Sequence, residues 1–145
     1  MGTTNLNQPI LLIEDNPVDL DLTLRAFALR KLTNPIEIAR DGEEAIAFIE
    51  KWENGDPVPV VILLDLNLPK VNGLEVLEAI KKHPDFRTIP VVVLTTSSES
   101  RDVKTSYLLG ANSYIVKPVD FDKFMEVAKQ IEIYWSVLNR PFESD

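Results

Sequence analysis

The sequence predicts an α/β fold in which five parallel strands form one doubly wound sheet, a (βα)₅ arrangement. Short apolar runs alternate five times with longer amphipathic stretches along the 145 residues. Three of these runs are continuously apolar, which is typical of strands buried on both faces. Strands that alternate with helical stretches indicate βαβ units, whose right-handed crossovers place helices on both sides of a parallel sheet.

The elements can be placed one by one. The predicted strands comprise residues 10–13, 35–39, 60–64, 91–94 and 113–116. Residues that favour helix N-termini follow each strand: Asn16-Pro17, Asp41-Gly42, Asn72-Gly73, Ser97 to Ser100, and Asp120. The last helix is predicted from about residue 120 to 138, with one apolar face formed by Phe121, Phe124, Ala128, Ile131, Trp135 and Leu138.

Length and composition limit the domain organisation. A chain of 145 residues suits one compact domain. We expect a tail at residues 1–8, the domain at 9–139 and a second tail at 140–145. Cysteine is absent, which excludes disulfides and thiolate metal sites and fits a cytoplasmic location.

Charge and hydropathy exclude some functions. A net charge of −8 disfavours direct binding to the nucleic-acid backbone and favours a metal cation or a basic partner surface. The apolar runs are much shorter than the roughly 20 residues needed to span a bilayer. The N-terminus lacks the features of a signal peptide, so no membrane association is expected.

Polar residues suited to metal-assisted chemistry follow the predicted strands. Glu14 and Asp15 follow the first strand, Asp65 the third, Thr95 the fourth and Lys117 the fifth. Sites in open α/β sheets lie beyond these strand ends, so three carboxylates converge if the first and third strands are neighbours. Clustered carboxylates repel one another unless a cation neutralises them, and hard oxygen ligands suit Mg²⁺. We predict Mg²⁺ on Asp15, Asp65 and one backbone carbonyl, with Glu14 acting through water; the alternative is that each acid only caps a helix.

The same residues fit phosphoryl transfer. A carboxylate can attack a phosphoryl group and form an aspartyl phosphate, a reaction that depends on positioning and electrostatic stabilisation. We predict Asp65 as the nucleophile, bridged by Mg²⁺ to a phosphoryl oxygen. Lys117 and the Thr95 hydroxyl are predicted to contact other oxygens. Alone, Lys117 would be a surface lysine and Thr95 an ordinary strand residue; together with the acids they favour the phosphoryl site.

The ordered set of motifs resembles the receiver domain of bacterial two-component response regulators over residues 9–139. The motifs are Glu14-Asp15, residues 65–73, Thr95, Tyr114 and Lys117-Pro118. The resemblance implies the strand order 2-1-3-4-5 and a sensor histidine kinase that donates a phosphoryl group to Asp65. Glu14 stands where many relatives have Asp, and either acid can serve.

The resemblance also implies roles for four further positions. The Asn67 backbone carbonyl would complete the metal shell, and the bond before Pro118 would be cis. Thr95 and Tyr114 would form a switch, in which Thr95 moves towards the phosphoryl group and Tyr114 swings inward behind it.

A narrower resemblance is to the small regulators paired with cyanobacterial and bacterial phytochromes. It depends on the connector at residues 53–57, the segments 65–69, 83–85 and 94–97, and an aromatic-rich last helix. By analogy it implies a light-sensing histidine kinase as partner.

The last helix predicts how a signal leaves the domain. Only this helix and a short tail follow Pro118, so we expect output by protein–protein contact or phosphate relay. Ile133 and Val137 lie opposite the apolar face, with Tyr134 at its border. We expect the fourth helix, fifth strand and fifth helix to form a homodimer or partner face.

Three alternative functions remain at this stage. A haloacid-dehalogenase-like phosphatase uses an Asp nucleophile but needs a second Asp two residues later, where this chain has Asn67. A flavodoxin-like nucleotide carrier would need a Ser-, Thr- or Gly-rich loop after the first strand in place of Glu14 and Asp15. A degenerate receiver would scaffold without phosphorylation. His83, the only histidine, is predicted to be a surface residue without a phosphohistidine role.

Overall fold

The computed structural model describes residues 8–117 and 120–138, and side chains of the last helix as far as Ile133. Within these ranges five strands alternate with five helices. The elements are β1 (Ile10–Ile13), α1 (Pro17–Leu29), β2 (Ile36–Ala39), α2 (Gly42–Glu53), β3 (Val61–Leu64), α3 (Gly73–Lys82), β4 (Val91–Thr95), α4 (Ser100–Leu108), β5 (Ser113–Val116) and α5 (Phe121–Leu138).

The strands form one parallel sheet in the order β2-β1-β3-β4-β5, which confirms the predicted fold. The chain crosses from β1 outward to β2 and then returns past β1 to β3. The strand order therefore reverses between β1 and β3, and Ile13 pairs with Leu64 at the ends of these two strands. Such a switch point places the next residues of both strands beside each other at one edge.

Alternation along β1 separates the two halves of the core. Leu11 and Ile13 contact one buried cluster, in which Trp52 of α2 and Leu77 of α3 also lie. Ile10 and Leu12 point to the other, which includes apolar residues of α1 and α5. Successive strand residues face opposite sides of a sheet, so continuously apolar strands need helices on both sides.

The helix N-termini follow the predicted caps, with one exception. The side chains of Asn16, Asp41, Asn72 and Asp120 each accept a bond from a backbone N–H two or three residues later. Helix α4 is preceded by Glu99, whose side chain makes no capping bond in the described part of the chain. The nearby Ser97 hydroxyl instead donates to Asp102 in the first turn at 2.5 Å.

The buried face of α5 is wider than predicted. Phe124, Ala128 and Ile131 are buried as expected, but Val127 is buried too and Phe121 is only half-buried. This helix packs against both the sheet and α1, so its apolar stripe must cover a broader arc than a single seam. Trp135 and Leu138, predicted to share this face, lie beyond the described side chains.

Candidate functional site

Three carboxylates meet at the switch point of the sheet. The Asp65 backbone N–H donates to the carbonyl of Ile13 at 3.0 Å, which continues the β1–β3 pairing by one residue and brings Asp65 beside Glu14. Glu14 and Asp65 are buried and Asp15 is exposed. Their ligand oxygens lie within 4.8 Å of one another.

Lys117 reaches into this group from the end of β5. Its Nζ atom lies 2.7 Å from Glu14 Oε1 and 3.1 Å from Asp65 Oδ2, and its side chain is only 6% exposed. The lysine is therefore an internal cation of the site. A third carboxylate, that of Asp19 in α1, lies 2.7 Å from the same nitrogen.

Sequence reasoning missed Asp19. The available signal was the helix start at Asn16-Pro17, which places an acid three residues later in the first turn of α1. That turn lies directly beyond the end of β1, so its side chains border the site.

The Asp65 carboxylate is held at both oxygens. Oδ1 accepts a hydrogen bond from the Asn67 backbone N–H at 2.9 Å, while Oδ2 faces Lys117. Thr95 is completely buried at the end of β4. The Asn67 side-chain amide donates to the hydroxyls of Thr95 at 3.3 Å and Thr96 at 2.8 Å, which links the loop after β3 to the end of β4.

The β3–α3 loop that carries Asn67 is docked on the start of α2. The Gly42 N–H donates to the carbonyl of Pro69 at 3.1 Å. Lys70, in a left-handed conformation with φ 71°, lies 3.4 Å from Asp41 and 3.5 Å from Glu43. Glu14, Asp15 and Asp65 together are called the acid group. The position of the loop is therefore set by contacts outside the acid group.

Tyr114 already packs against the core. Its ring contacts the cluster on the α2–α3 side of the sheet, and its hydroxyl donates to the Ser97 carbonyl at 2.9 Å. Burial raises the pKa of Tyr114, so the hydroxyl keeps the proton that it donates. The side chain thus ties β5 to the loop after β4.

The other residues named from the sequence lie away from the acid group or outside the described part of the chain. Ile133 is 55% exposed, in agreement with its predicted position. Pro118 is outside the described residues, as are the side chains of Tyr134 and Val137. His83 is less exposed than predicted, because its ring stacks on Phe86 at 4.2 Å and its Nε2 lies 2.9 Å from a Glu53 oxygen.

The single ammonium of Lys117 does not balance the negative charge of the carboxylates around it. Burial, assisted by the neighbouring Asp65, raises the pKa of Glu14 to about 8 although Lys117 acts in the opposite direction. For Lys117, burial lowers the pKa, but its bonds to Asp19 and Glu14 outweigh this and raise it above the ordinary value. Three clustered carboxylates are a hard-oxygen donor set, so they fit a divalent cation such as Mg²⁺.

Comparison with known protein families identifies the family of this chain. Residues 10–129 match the family described as "Response regulator receiver domain". This chain belongs to that family. The receiver assignment does not support the phosphatase alternative, and the Asn67 amide is engaged by two threonine hydroxyls.

Similar proteins match this chain over at least 90% of its length. FilR2 of Methanothrix harundinacea, a probable methanogenesis regulatory protein, is 43% identical over 132 residues, covering 90% of this chain and 85% of FilR2. Rcp1 of Synechocystis, a response regulator, is 42% identical over 135 residues and 91% of each chain. The Mn²⁺-bound form of Rcp1 has a TM-score of 0.77 at 40% identity, covering 94% of this chain and 97% of Rcp1.

The receiver is also similar to a phytochrome-associated protein. The structure of the phosphorylated cyanobacterial phytochrome response regulator RcpA has a TM-score of 0.79 at 38% identity, covering 96% of this chain and 99% of RcpA.

As to membranes, none of the helices in the described ranges combines the length and apolarity that crossing a bilayer requires.

Proposed function

We propose that this receiver accepts a phosphoryl group on Asp65 from the phosphohistidine of a sensor histidine kinase. An Asp65 oxygen forms the new O–P bond as the P–N bond breaks, and the leaving imidazole nitrogen keeps the electron pair and takes up a proton. The observation that carries this proposal is the Asp65 carboxylate itself, buried, held at both oxygens and adjacent to Lys117. Positioning of this kind is the main protein contribution to phosphoryl transfer.

The residues around Asp65 have distinct roles in the proposal. Asp15, Asp65 and the Asn67 carbonyl would hold Mg²⁺, with Glu14 acting through water, and the bound ion would supply positive charge against the phosphoryl oxygens. Lys117 donates to one of these oxygens and the Thr95 hydroxyl to another. The receiver acts only on its own phosphoryl group and has no separate substrate.

Acetyl phosphate provides a direct test. The wild-type chain, incubated with acetyl phosphate and Mg²⁺, should gain the mass of one phosphoryl group by intact mass spectrometry. Asp65→Asn should gain none, because its side chain is not a nucleophile. Asp56→Asn, which changes an exposed acid outside the site, is the matched control and should behave as wild type. Equal modification of Asp65→Asn and wild type would refute the assignment of the acceptor.

Thr95 and Tyr114 would transmit the effect of Asp65 phosphorylation to the rest of the domain. Thr95 Oγ1, at the end of β4, accepts a hydrogen bond from the Asn67 amide, and the Tyr114 hydroxyl donates to the carbonyl of Ser97, two residues later in the loop after β4. Movement of Thr95 towards a phosphoryl oxygen would therefore pull on the loop that holds the Tyr114 hydroxyl. We expect phosphorylation of wild type to change the ring resonances of Tyr114 in NMR spectra. A Thr95→Ala variant should still be phosphorylated, but its Tyr114 resonances should not change.

A phytochrome is the proposed kinase, and the cytoplasm the proposed location. Similarity to RcpA, which is described as a phytochrome response regulator, supports the phytochrome; FilR2, of comparable identity, is described as a probable methanogenesis regulatory protein. The test is phosphotransfer from purified phosphorylated kinases, which should be faster from a phytochrome than from an unrelated histidine kinase. Equal rates would remove the phytochrome from the proposal.

Output is proposed to occur through a protein face and without direct contact to nucleic acid. Val116 and Ile133 are 41% and 55% exposed on β5 and α5, and the proposed homodimer face also includes Tyr134 and Val137. Ile133→Asp should weaken self-association in sedimentation velocity without reducing phosphorylation. Val18→Asp is the control, since Val18 is 65% exposed on α1. Unchanged association of Ile133→Asp would remove this face.

A further inference from the structure

Among the described residues, Lys117 has three carboxylate partners, which have different roles in the phosphoryl reaction. Its ammonium carries three N–H donors and lies within 3.1 Å of Glu14, Asp19 and Asp65. Asp65 is consumed when it becomes an acyl phosphate. Glu14 belongs to the acid group that fits a divalent cation, whereas Asp19 does not. Of these three carboxylates, Asp19 is therefore the one that still pairs with Lys117 when a cation is bound to the acid group and Asp65 is phosphorylated.

Local structure fixes the Asp19 carboxylate at the edge of the site. Helix α1 begins at Pro17, and the Asn16 side chain accepts the Asp19 backbone N–H at 3.1 Å. A carboxylate in the first turn of a helix is also favoured by the helix dipole. The Asp19 side chain is 20% exposed, so its contact with the nearly buried Lys117 is only partly screened by solvent.

We infer that Asp19 is a positioning residue, which keeps the Lys117 ammonium beside Asp65 when a divalent cation occupies the acid group. The cation and the ammonium are like charges that compete for Glu14 and Asp65. The Asp19 carboxylate, which is 2.7 Å from the ammonium and is not part of the cation-binding group, offsets this repulsion, so both cations can occupy the site together. This inference rests on the proposed function, because it gives Asp19 a role in delivering Lys117 to the phosphoryl oxygens.

The first test measures phosphorylation. At saturating Mg²⁺, Asp19→Asn should react with acetyl phosphate about tenfold more slowly than wild type, the change produced by a coupling of about 1.4 kcal/mol between contacting groups. Asp21→Asn is the matched control: it removes the same charge from the same helix, but Asp21 pairs with Arg25 on the exposed side. Asp19→Glu, which keeps the charge, should recover part of the rate. An Asp19→Asn rate equal to or above that of Asp21→Asn would overturn the inference.

The second test needs no phosphorylation and asks whether Asp19 acts through Lys117. Isothermal titration with Mg²⁺ alone should show about fivefold weaker binding to Asp19→Asn than to wild type, since the released ammonium then competes for Glu14 and Asp65. In a Lys117→Met background, the same substitution should change binding by less than about twofold. Equal effects in both backgrounds would overturn the inference. Lys117→Gln replaces Lys117→Met if the latter does not fold.

The two tests separate the inference from the proposal on which it rests. If wild type takes up no phosphoryl group, the proposed function fails, and the Mg²⁺ cycle still decides whether Asp19 and Lys117 are coupled. If wild type is phosphorylated and Asp19→Asn matches Asp21→Asn, only the role of Asp19 is wrong.

Discussion

Gly42 begins helix α2 at a point where the backbone of the β3–α3 loop leaves no room for a side chain. A Cβ atom at Gly42 would overlap the carbonyl oxygen of Val71 and lie 2.5 Å from the Val71 Cβ. The nearest atom belongs to the backbone, so a change of rotamer cannot relieve the overlap. Gly42→Ala should therefore displace the loop that carries Asn67.

The size of the effect follows from two opposing contributions. Overpacking costs about 1–3 kcal/mol, and contact with rigid backbone places this case near the upper value. Replacing Gly by Ala in a helix gains about 0.5–1 kcal/mol. The net loss of about 2 kcal/mol should lower the thermal midpoint by about 4–8 °C for a domain of this size.

Thermal and urea unfolding followed by circular dichroism would measure the loss, and calorimetric titration would measure Mg²⁺ binding. Gly55→Ala is the control, because Gly55 has open space around it but a φ of 100°. Both variants should lose stability, but only Gly42→Ala should bind Mg²⁺ more weakly. A Gly42→Ala protein with wild-type stability and Mg²⁺ affinity would refute the argument from loop contact.

Three further predictions concern the metal, a half-buried acid and an ion pair. Mg²⁺ at about 100 times its dissociation constant should raise the free energy of unfolding of wild type by about 2.7 kcal/mol. Asp15→Asn should show a smaller stabilisation when scanning calorimetry with Mg²⁺ is compared with scanning calorimetry in EDTA. An equal stabilisation of the variant would exclude Asp15 as a ligand. Burial raises the pKa of Glu37 on β2, and its Oε1 has no hydrogen-bond partner among the described residues. The folded state therefore binds the carboxyl proton of Glu37 more tightly than the unfolded state does, and stability is lost as the pH rises above the ordinary carboxyl pKa. Glu37→Gln cannot lose this proton, so it should raise the free energy of unfolding at about pH 7 but not at about pH 4. A gain of equal size at both pH values in urea titrations would contradict this cause. Arg30, which directly follows α1, makes a two-bond ion pair with Glu132 of α5. Glu132→Gln should lower the free energy of unfolding only slightly in urea titrations, and less in 1 M salt, because solvent and salt screen such a pair. A large, salt-independent loss would indicate a packing role instead.

The sequence by itself determined the fold class and the three members of the acid group, Glu14, Asp15 and Asp65. Apolar runs such as residues 61–64 and 91–94 are too short for a typical buried helix and favour strands in a sheet that is covered on both faces. Parallel strands end at a common edge, so polar residues directly after them, such as Asp65 and Lys117, must lie at that edge. These features depend on local periodicity and on adjacency in the chain, and both are visible without coordinates.

Only the tertiary structure decided which of these groups touch. The contact between Asp19 and Lys117 depends on where α1 lies relative to the end of β5, and that placement comes from packing between residues distant in sequence. The close approach of Gly42 to Val71 depends in the same way on the docking of one loop on another helix. Side-chain directions at such contacts are set by the relative placement of whole elements, which the periodicity of a single segment does not encode.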